Sequence, residues 1–333
     1  MIKIVRNGDN MSLRKKILII LCSFFGIILY FYVFILVSEN IMSPKATEEF
    51  TCGDNKYRIT KNEYSLFDKG TCRFIDSTSD EIRIPAEVSS ADYGIFPDTF
   101  KVTSADITNL KDKSVYIPET IESVYYMKNQ FVSEKVDVEY IEVSDEHKIY
   151  DSRDNCGCLI ETKTNKLLLS SKNSFFPNDI KIVSSYSSKY YFKTFNHSFT
   201  IPSSVEKLED YAFYTVTDSN YYSYYVEYLD LNNVKEIGHD CFTHNIKFSN
   251  DSSIVIPKKC LMKYDSFPKM TFFDTIKINV YYKGSKSDWF YNVGLDFSRF
   301  GSCYKLYYYS EESPIDEENL YWHYDENNQI VKW

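Results

Sequence analysis

Two cysteines lie only two residues apart at Cys156-Gly157-Cys158. Side chains at positions i and i+2 of a β-strand point to the same face, so the two thiols would lie side by side on a strand. Thiols in this arrangement can bind a metal ion or form a redox-active pair. The alternative is that both are small apolar core residues, which is the usual environment of a free cysteine.

His239, Cys241 and His244 form a second grouping, with the ligand types of a zinc site. The repeat alignment described below turns Cys241 inward and leaves His239 at a polar turn position, which argues against zinc. Cys52 and Cys72 flank one short segment and are the candidates for a disulfide. Seven cysteines lie beyond residue 50, and an odd number cannot pair completely within one chain.

The sequence lacks the short motifs of common catalytic sites. It contains no G-x-S-x-G, no H-E-x-x-H, no G-x-x-x-x-G-K-[ST] and no strand followed by G-x-G-x-x-G. Carboxylates are plentiful but scattered, which is typical of solvated faces, and nothing indicates the acid pair of a glycosidase. We therefore predict that the protein is not an enzyme and has no catalytic residues, no cofactor and no metal site.

Tyrosine is the most prominent residue type that could contact a ligand, with 30 tyrosines in 333 residues. A run at residues 220–225 contains Tyr221, Tyr222, Tyr224 and Tyr225, and a second Ser/Tyr-rich stretch covers residues 184–191. Each stretch is either an insertion loop or degenerate strand, or an exposed contact patch, because tyrosine supplies a large, rigid, amphipathic surface. The four tyrosines of the run are the candidate ligand contacts.

The charge distribution bears on the class of partner. The whole chain has a net charge of −9, but residues 1–16 hold five basic side chains and one acidic side chain. Residues 17–333 therefore carry 33 basic and 46 acidic residues, a net charge of −13. A body with this charge repels nucleic acid, so we expect no nucleic-acid partner.

Residues 17–37 are 21 consecutive uncharged residues, most of them apolar. About 20 helical residues cross a hydrocarbon core of about 30 Å, so this segment is predicted to be a transmembrane helix. Arg14, Lys15 and Lys16 precede it, which places the N-terminus in the cytoplasm and the body outside. The segment is longer than the apolar region of a signal peptide and lacks a clear cleavage site, which favours an uncleaved signal-anchor.

A pattern of the form apolar-x-Ile-Pro-x-x-apolar recurs through the body. Its four copies are residues 82–88, 115–121, 199–205 and 254–260. A fifth copy without proline begins at Leu229. The third and fifth copies continue to match, pairing Val205, Leu208, Ala212 and Phe213 with Val234, Ile237, Cys241 and Phe242.

The physics of one copy predicts its structure. The apolar-x-apolar pair lies on one face of a short strand, and the proline ends that strand because it has no N–H group. The later apolar residues, three and four apart, suit a turn or short helix that packs back. Such a unit buries its apolar face only by stacking on its neighbours, with the strands paired in parallel.

These repeats resemble the BspA-type leucine-rich repeat, whose pattern is roughly L-x-x-I-x-I-P-x-x-V-x-x-I-x-x-x-A-F. Residues 141–169 resemble a longer variant of the unit, residues 280–289 resemble a closing unit, and residues 307–333 resemble the tail of many low-GC bacterial members. The resemblance covers about residues 80–333. It implies an apolar core position for Cys158, and adhesion to extracellular-matrix proteins or neighbouring cells.

The predicted fold class is a β-rich repeat solenoid of the BspA type, with short parallel strands and turns or short helices, preceded by a single transmembrane helix. The predicted domains are a cytoplasmic basic tail (1–16), a transmembrane signal-anchor helix (17–37), a polar stalk (38–50), an N-terminal β cap (51–80), irregular repeats (81–305) and an aromatic C-terminal cap (306–333).

The predicted function follows from the anchor and the repeats together. We expect a single-pass cell-membrane protein with an extracytoplasmic body that mediates protein–protein binding or adhesion. Its partners would be the membrane, through residues 17–37, and a protein, cell-surface or extracellular-matrix ligand. The alternative is a structural scaffold within the cell envelope.

Overall fold

The computed structural model describes twelve segments of the chain: residues 21–33, 48–61, 70–90, 98–126, 136–187, 197–214, 224–242, 246–263, 265–267, 276–292, 303–315 and 318–333. These segments are mostly β-sheet, arranged in several sheets.

The predicted transmembrane helix is not supported by this structure. Residues 21–33 are helical, while residues 17–20 and 34–37 lie outside the described segments. Across the described segments, no helix combines the length and the hydrophobicity that a membrane crossing requires. The predicted single-pass localisation, with a cytoplasmic N-terminus and an extracytoplasmic body, is therefore not supported by the structure.

The strands of the first half are β1 (Glu49–Cys52), β2 (Asn55–Lys61), β3 (Gly70–Ser77), β4 (Glu81–Arg83), β5 (Glu87–Ser90), β6 (Asp98–Asp106), β7 (Ser114–Ile117), β8 (Ser123–Tyr125) and β9 (Tyr140–Val143). Strands β1, β2 and β3 form an antiparallel meander, which continues through β6 to β5 and β8. Strands β4, β7 and β9 form a separate parallel sheet.

The strands of the second half are β10 (Tyr150–Asp151), β11 (Cys158–Glu161), β12 (Lys166–Ser170), β13 (Ile182–Val183), β14 (Ser198–Thr200), β15 (Lys207–Leu208), β16 (Tyr224–Asp230), β17 (Glu236–Ile237), β18 (Ile246–Ile256), β19 (Leu261–Met262), β20 (Ile278–Tyr282), β21 (Tyr304–Tyr309), β22 (Leu320–Tyr324) and β23 (Ile330–Lys332). A 3-10 helix covers Arg153–Asn155, and an α-helix covers Lys286–Asn292.

Two ladders organise this half. The short-strand ladder pairs β12, β13, β15, β17 and β19 in parallel, and β10 and β11 extend it with antiparallel pairs. The long-strand ladder pairs β14, β16, β18, β20, β21 and β22 in parallel and ends on antiparallel β23. From β14 to β19 the chain alternates between the two ladders, so each turn of the chain adds one strand to each.

The spacing of apolar residues explains this alternation. Ile254 and Ile256 of β18 are fully buried, and Pro257 directly follows the strand. The four matched pairs of the repeat alignment, from Val205 to Phe242, are all fully buried in one core that joins the two ladders. The first half has its own core. Along the chain, the antiparallel β10–β12 segment lies between the two parallel regions. The described strands divide into four sheets and do not form one uninterrupted solenoid.

Candidate functional site

The structure places the close cysteine pair in the core. Cys156 and Cys158 are both fully buried, and the Cys158 Sγ lies 3.5 Å from the carbonyl oxygen of Phe175. Gly157 between them has a φ of 70°, which an L side chain rarely adopts. Within the described segments, no group of three or more His, Cys, Asp or Glu side chains is placed to hold a metal ion.

In the second grouping, Cys241 and His239 point in different directions. Cys241 is fully buried, and burial raises the pKa of its thiol well above the usual range. His239 points outward, and its Nδ1 lies 2.5 Å from the Asp265 carboxylate. His244 lies outside the described residues. The inward position that the repeat alignment gives to Cys241 agrees with its burial.

The candidate disulfide is absent, because Cys52 and Cys72 are both free thiols. The register of the meander explains this. Cys52 of β1 pairs with Asn55 of β2, whereas Cys72 of β3 pairs with Ile59 at the other end of β2. The two cysteines are thus offset by four residues along the sheet and by one intervening strand, beyond the reach of a disulfide.

The four tyrosines predicted as ligand contacts are not assembled into a site in the described segments. Tyr221 and Tyr222 lie outside them. Tyr224 begins β16, and only its backbone is described. Tyr225 follows it with a side chain that is 49% exposed, and its carbonyl oxygen lies 2.8 Å from the Nδ1 of His197.

A different group of tyrosines does assemble, on the turns that follow the strands of the short-strand ladder. We call Tyr186, Tyr211 and Tyr214 the tyrosine cluster. The rings of Tyr186 and Tyr211 stack with centroids 5.1 Å apart and planes 4° from parallel. The Tyr214 ring stands edge-on to both, with each centroid distance at 5.5 Å. All three side chains are partly exposed.

The repeating backbone explains why these rings meet. Tyr186, Tyr211, Asp240 and Asp265 are each the third residue after a strand of the short-strand ladder. Because adjacent strands lie about 4.8 Å apart, these four positions form a column in which two tyrosines are followed by two aspartates. Backbone hydrogen bonds connect the turns: the Tyr186 N–H donates to the Tyr211 carbonyl, and the Asp240 N–H donates to the Asp265 carbonyl.

The turns approach one another closely. A Cβ at Gly238 would lie 2.4 Å from the backbone nitrogen of Asp210, so the turn after β17 requires glycine there. Tyr186 and Tyr211 have φ values of 57° and 62°, in the left-handed region. This conformation costs roughly 1–2 kcal/mol for a residue with a side chain, and a bulky residue there is an outlier. The surrounding turns thus hold both tyrosines in conformations that they would not adopt alone.

The same turns contribute to the core on their inner side. The Phe213 ring stacks on Phe242 with centroids 5.3 Å apart, and Phe242 stacks on Phe267 at 5.0 Å. Phe213 and Phe242 are fully buried and Phe267 nearly so. The turns that carry Tyr211, Asp240 and Asp265 are therefore each fixed from within by a phenylalanine.

Carboxylates lie along one side of the tyrosine cluster. The Asp210 Oδ1 accepts a hydrogen bond of 2.8 Å from the backbone N–H of His239. Partial burial, and then the negative charges of Asp240, Asp210 and Asp265, raise the pKa of Tyr211. Burial and the neighbouring rings raise the pKa of Tyr186 to about 12. The phenols therefore stay neutral near neutral pH, and the carboxylates give this side of the cluster its negative charge.

Sequence reasoning found this cluster only in part. The Ser/Tyr-rich stretch at residues 184–191 includes Tyr186, but nothing singled out Tyr211 and Tyr214. The repeat alignment contained the missing signal. It matched Ala212 with Cys241, which places Tyr211 in the same column as Asp240.

A second aromatic group lies on the long-strand ladder. We call Tyr281, Tyr307, Tyr309, Trp322 and Tyr324 the C-terminal aromatic cluster. Trp322 is fully buried, and its Nε1 donates a 3.0 Å hydrogen bond to the carbonyl of Tyr282. Tyr281 and Tyr307 are also buried and stack at 5.1 Å. The Nζ of Lys332, from β23, lies 4.6 Å from the Tyr307 ring centroid.

Comparisons with known proteins leave the family open. No protein-family profile matches the chain, and no curated protein matches it. Among solved structures, the crystal structure of the pneumococcal vaccine antigen PcpA matches with 12% sequence identity and a TM-score of 0.34. That match covers 80% of this chain and 95% of PcpA. A similarity of this size assigns neither a fold nor a function, and the BspA-type resemblance stays a prediction.

Proposed function

We propose that this chain is a binding protein without catalytic activity, which engages a positively charged protein segment through the tyrosine cluster. One observation carries the proposal: partly exposed tyrosines, fixed on consecutive turns, continue directly into a column of aspartates. The rigidity of the turns, the chemistry of the rings and the charge of the chain support it.

Rigidity comes from the turns. Each backbone turn is hydrogen-bonded to the next, and the phenylalanine stack anchors the inner side. A side chain that is already ordered loses little entropy when it binds a partner. Tyrosine also has few rotatable bonds for its contact area. The left-handed conformations of Tyr186 and Tyr211 favour the same interpretation, because strained residues are often found at binding sites.

The tyrosine rings favour a partner with lysine or arginine side chains. The negative face of an aromatic ring attracts a lysine ammonium or an arginine guanidinium. Asp240 lies one position along the column from Tyr211, so a cation seated between them would contact a ring and a carboxylate together. Arginine suits this position best, because its planar group both stacks on a ring and binds a carboxylate with two hydrogen bonds.

The overall charge supports the same partner. The chain has a net charge of −9, which accelerates encounter with a basic segment and disfavours an acidic one. Adhesion to a protein ligand, as predicted from the sequence, is one context in which such binding operates.

The test uses the full chain and two fluorescent peptides of equal length, one rich in arginine and tyrosine and one in which glutamate replaces arginine. Fluorescence anisotropy at low ionic strength measures both affinities. We expect binding of the basic peptide that weakens with added salt. Tyr211→Asn and Asp240→Asn should each weaken it roughly tenfold, a loss of about 1.4 kcal/mol.

Two further variants make the test specific. Tyr291→Ser removes a tyrosine that is 87% exposed on the Lys286–Asn292 helix and should leave the affinity unchanged. Tyr225→Ser tests whether the predicted run at residues 220–225 contributes. If the basic peptide does not bind, or if it binds equally to the Tyr211→Asn and Asp240→Asn variants, the tyrosine cluster is not the binding site.

A further inference from the structure

The turn between β9 and β10 is closed by the side chain of one buried histidine. His147 is only 7% exposed, and its Nδ1 accepts hydrogen bonds of 3.1 Å from the backbone N–H groups of both Ile149 and Tyr150. The backbone N–H of His147 donates to the carbonyl of Ser144 at 3.0 Å. The imidazole therefore supplies the acceptor that the two N–H groups of this turn require.

This turn is the place where the first half of the chain passes into the second. β9 belongs to the parallel sheet of the first half, and β10 begins the antiparallel segment. The Tyr150 ring lies against the His147 ring, with centroids 5.2 Å apart, and packs on the core of the first half. β10 pairs with β11 over only two residues, and so short a pairing is weak without further contacts.

The hydrogen bonds fix the protonation state of the imidazole. A ring nitrogen that accepts hydrogen bonds carries no proton, so the neutral ring has its hydrogen on Nε2, which is also buried. A second proton can be added only at Nδ1, where it would point at the N–H groups of Ile149 and Tyr150. Protonation therefore replaces two hydrogen bonds with two repulsive contacts and favours the open turn.

The surroundings of the ring act in the same direction. Burial lowers the pKa of His147, and the Ile121 backbone and the Glu119 carboxylate oppose this shift only in part. The charged and titratable groups around the ring are Glu119 on the turn after β7, Tyr150 on β10, Glu161 opposite Tyr150 on β11, and the exposed Asp145, Glu146 and Lys148 on the turn itself. Burial outweighs the carboxylate, so the closed turn holds a neutral ring.

We propose that His147 is an acid-sensitive switch: when its imidazole gains a proton, the turn at residues 144–150 opens and the junction between β9 and β10 loosens. This proposal does not depend on the peptide-binding role of the tyrosine cluster.

The pH range of the switch follows from the ordinary titration of histidine. Because the closed turn holds the ring neutral, the opened turn binds the proton more tightly than the closed turn. The stability of the closed turn is therefore fully present above the ordinary histidine pKa of about 6.5 and is lost progressively as the pH falls below it. Ordinary carboxyl groups titrate near a pH of about 4, so a change between pH 7.5 and 5.5 separates His147 from them.

Hydrogen–deuterium exchange of the full chain, measured by mass spectrometry, tests the proposal through the peptide that covers residues 144–151. The rates at pH 7.5 and 5.5 are corrected for the intrinsic pH dependence of exchange. We expect the opening of this turn to increase about tenfold between the two pH values, because the opened ring titrates near 6.5 while the closed ring stays neutral. A peptide from β18 should keep its protection, which shows that the opening is local.

Three variants assign the effect to the Nδ1 of His147. H147N keeps an acceptor at the same distance from the backbone but does not titrate, so it should lose the tenfold response. H147F keeps a ring without an acceptor and should leave the turn less protected at both pH values. H197N, at an exposed histidine, is the matched control and should keep the full response.

Circular dichroism at pH 7.5 confirms that each variant is folded. The proposal is overturned if the natural chain protects the turn equally at both pH values or if H147N keeps the tenfold response. It is also overturned if the β18 peptide loses protection to the same extent at pH 5.5, because the opening is then not local.

Discussion

In the C-terminal aromatic cluster the indole of Trp322 is fully buried, whereas in the tyrosine cluster every ring is partly exposed. The same residue types therefore have different environments at two places on one molecule. In the C-terminal cluster β22 supplies Trp322 and Tyr324 and pairs with β23, and Lys332 of β23 lies over Tyr307. In the tyrosine cluster the described residues present rings and carboxylates together, at left-handed turns.

The difference separates an aromatic core from the aromatic surface that we propose as a binding site. The C-terminal rings lie on regular strands, where burial of apolar area offsets the cost of ordering them. The rings of the tyrosine cluster are partly exposed, and Tyr186 and Tyr211 have left-handed backbone conformations. We therefore expect the cluster to add little to the free energy of unfolding for its size. We therefore expect substitutions in the first cluster to affect folding and substitutions in the second to affect binding.

The largest effect is expected at the centre of the C-terminal aromatic cluster. Trp322→Ala should lower the free energy of unfolding by about 3–5 kcal/mol, because it leaves a cavity and removes the donor to the Tyr282 carbonyl. Urea denaturation followed by circular dichroism measures the change. Trp333→Ala is the matched control, since that indole is 48% exposed, and it should cost much less. Equal losses in the two variants would contradict the assignment of Trp322 to a core.

A smaller effect is expected at the lysine that covers the same cluster. Lys332→Met keeps the side-chain stem but removes the charge over Tyr307, and should lower the free energy of unfolding by about 0.5–1 kcal/mol. Lys259→Met, at an exposed lysine, provides the comparison. The same urea experiment measures both. If the two variants are equally stable, the cation–ring contact contributes nothing.

Within the tyrosine cluster, a substitution should leave stability nearly unchanged. Tyr211→Asn removes a stacked ring worth about 0.5–1.5 kcal/mol but relieves part of the left-handed cost, because asparagine tolerates that conformation. The two terms oppose each other, so the free energy of unfolding should change by less than about 1 kcal/mol. A loss as large as that of Trp322→Ala would mean that the tyrosine cluster is structural and not a contact surface.

The smallest expected effect is on the free energy of unfolding at alkaline pH, through the titration of Tyr186. The pKa of Tyr186 is raised to about 12 by burial and its neighbours, so the folded chain holds this proton more tightly than the unfolded chain. Its contribution is fully present below the unfolded pKa of about 10 and is lost as the pH rises toward 12. Because the ring is partly exposed, solvent screening keeps this contribution small.

Tyr186→Phe tests this contribution. Urea denaturation between pH 8 and 11 should show that the Phe variant loses less stability than the natural chain above pH 10. The difference between the two proteins should not depend on pH between 8 and 9, which serves as the internal control. Parallel pH profiles up to pH 11 would show that Tyr186 titrates equally in the folded and unfolded chains.

The local spacing of apolar residues predicted much of the core. The Ile-x-Ile pair at Ile254 and Ile256 was assigned to the inner face of a strand, and both residues are fully buried. Hydrophobicity alone was less reliable. The segment at residues 17–37 met the length criterion for a membrane span, yet no helix in the described part of the chain is long and apolar enough to cross a membrane. The Cys52–Cys72 pairing failed because closeness in sequence does not fix strand register.

The sequence by itself determined which side chains are buried in each repeat, because the alternation of side chains along a strand and the position of proline are local properties. The tertiary structure decided which distant residues become neighbours. Tyr186, Tyr211 and Asp240 come from three successive turns and share one column only because the short strands pair in register. The repeat alignment relates Tyr211 to Asp240, but it does not place Tyr186 beside them, because register depends on how whole turns of the chain stack.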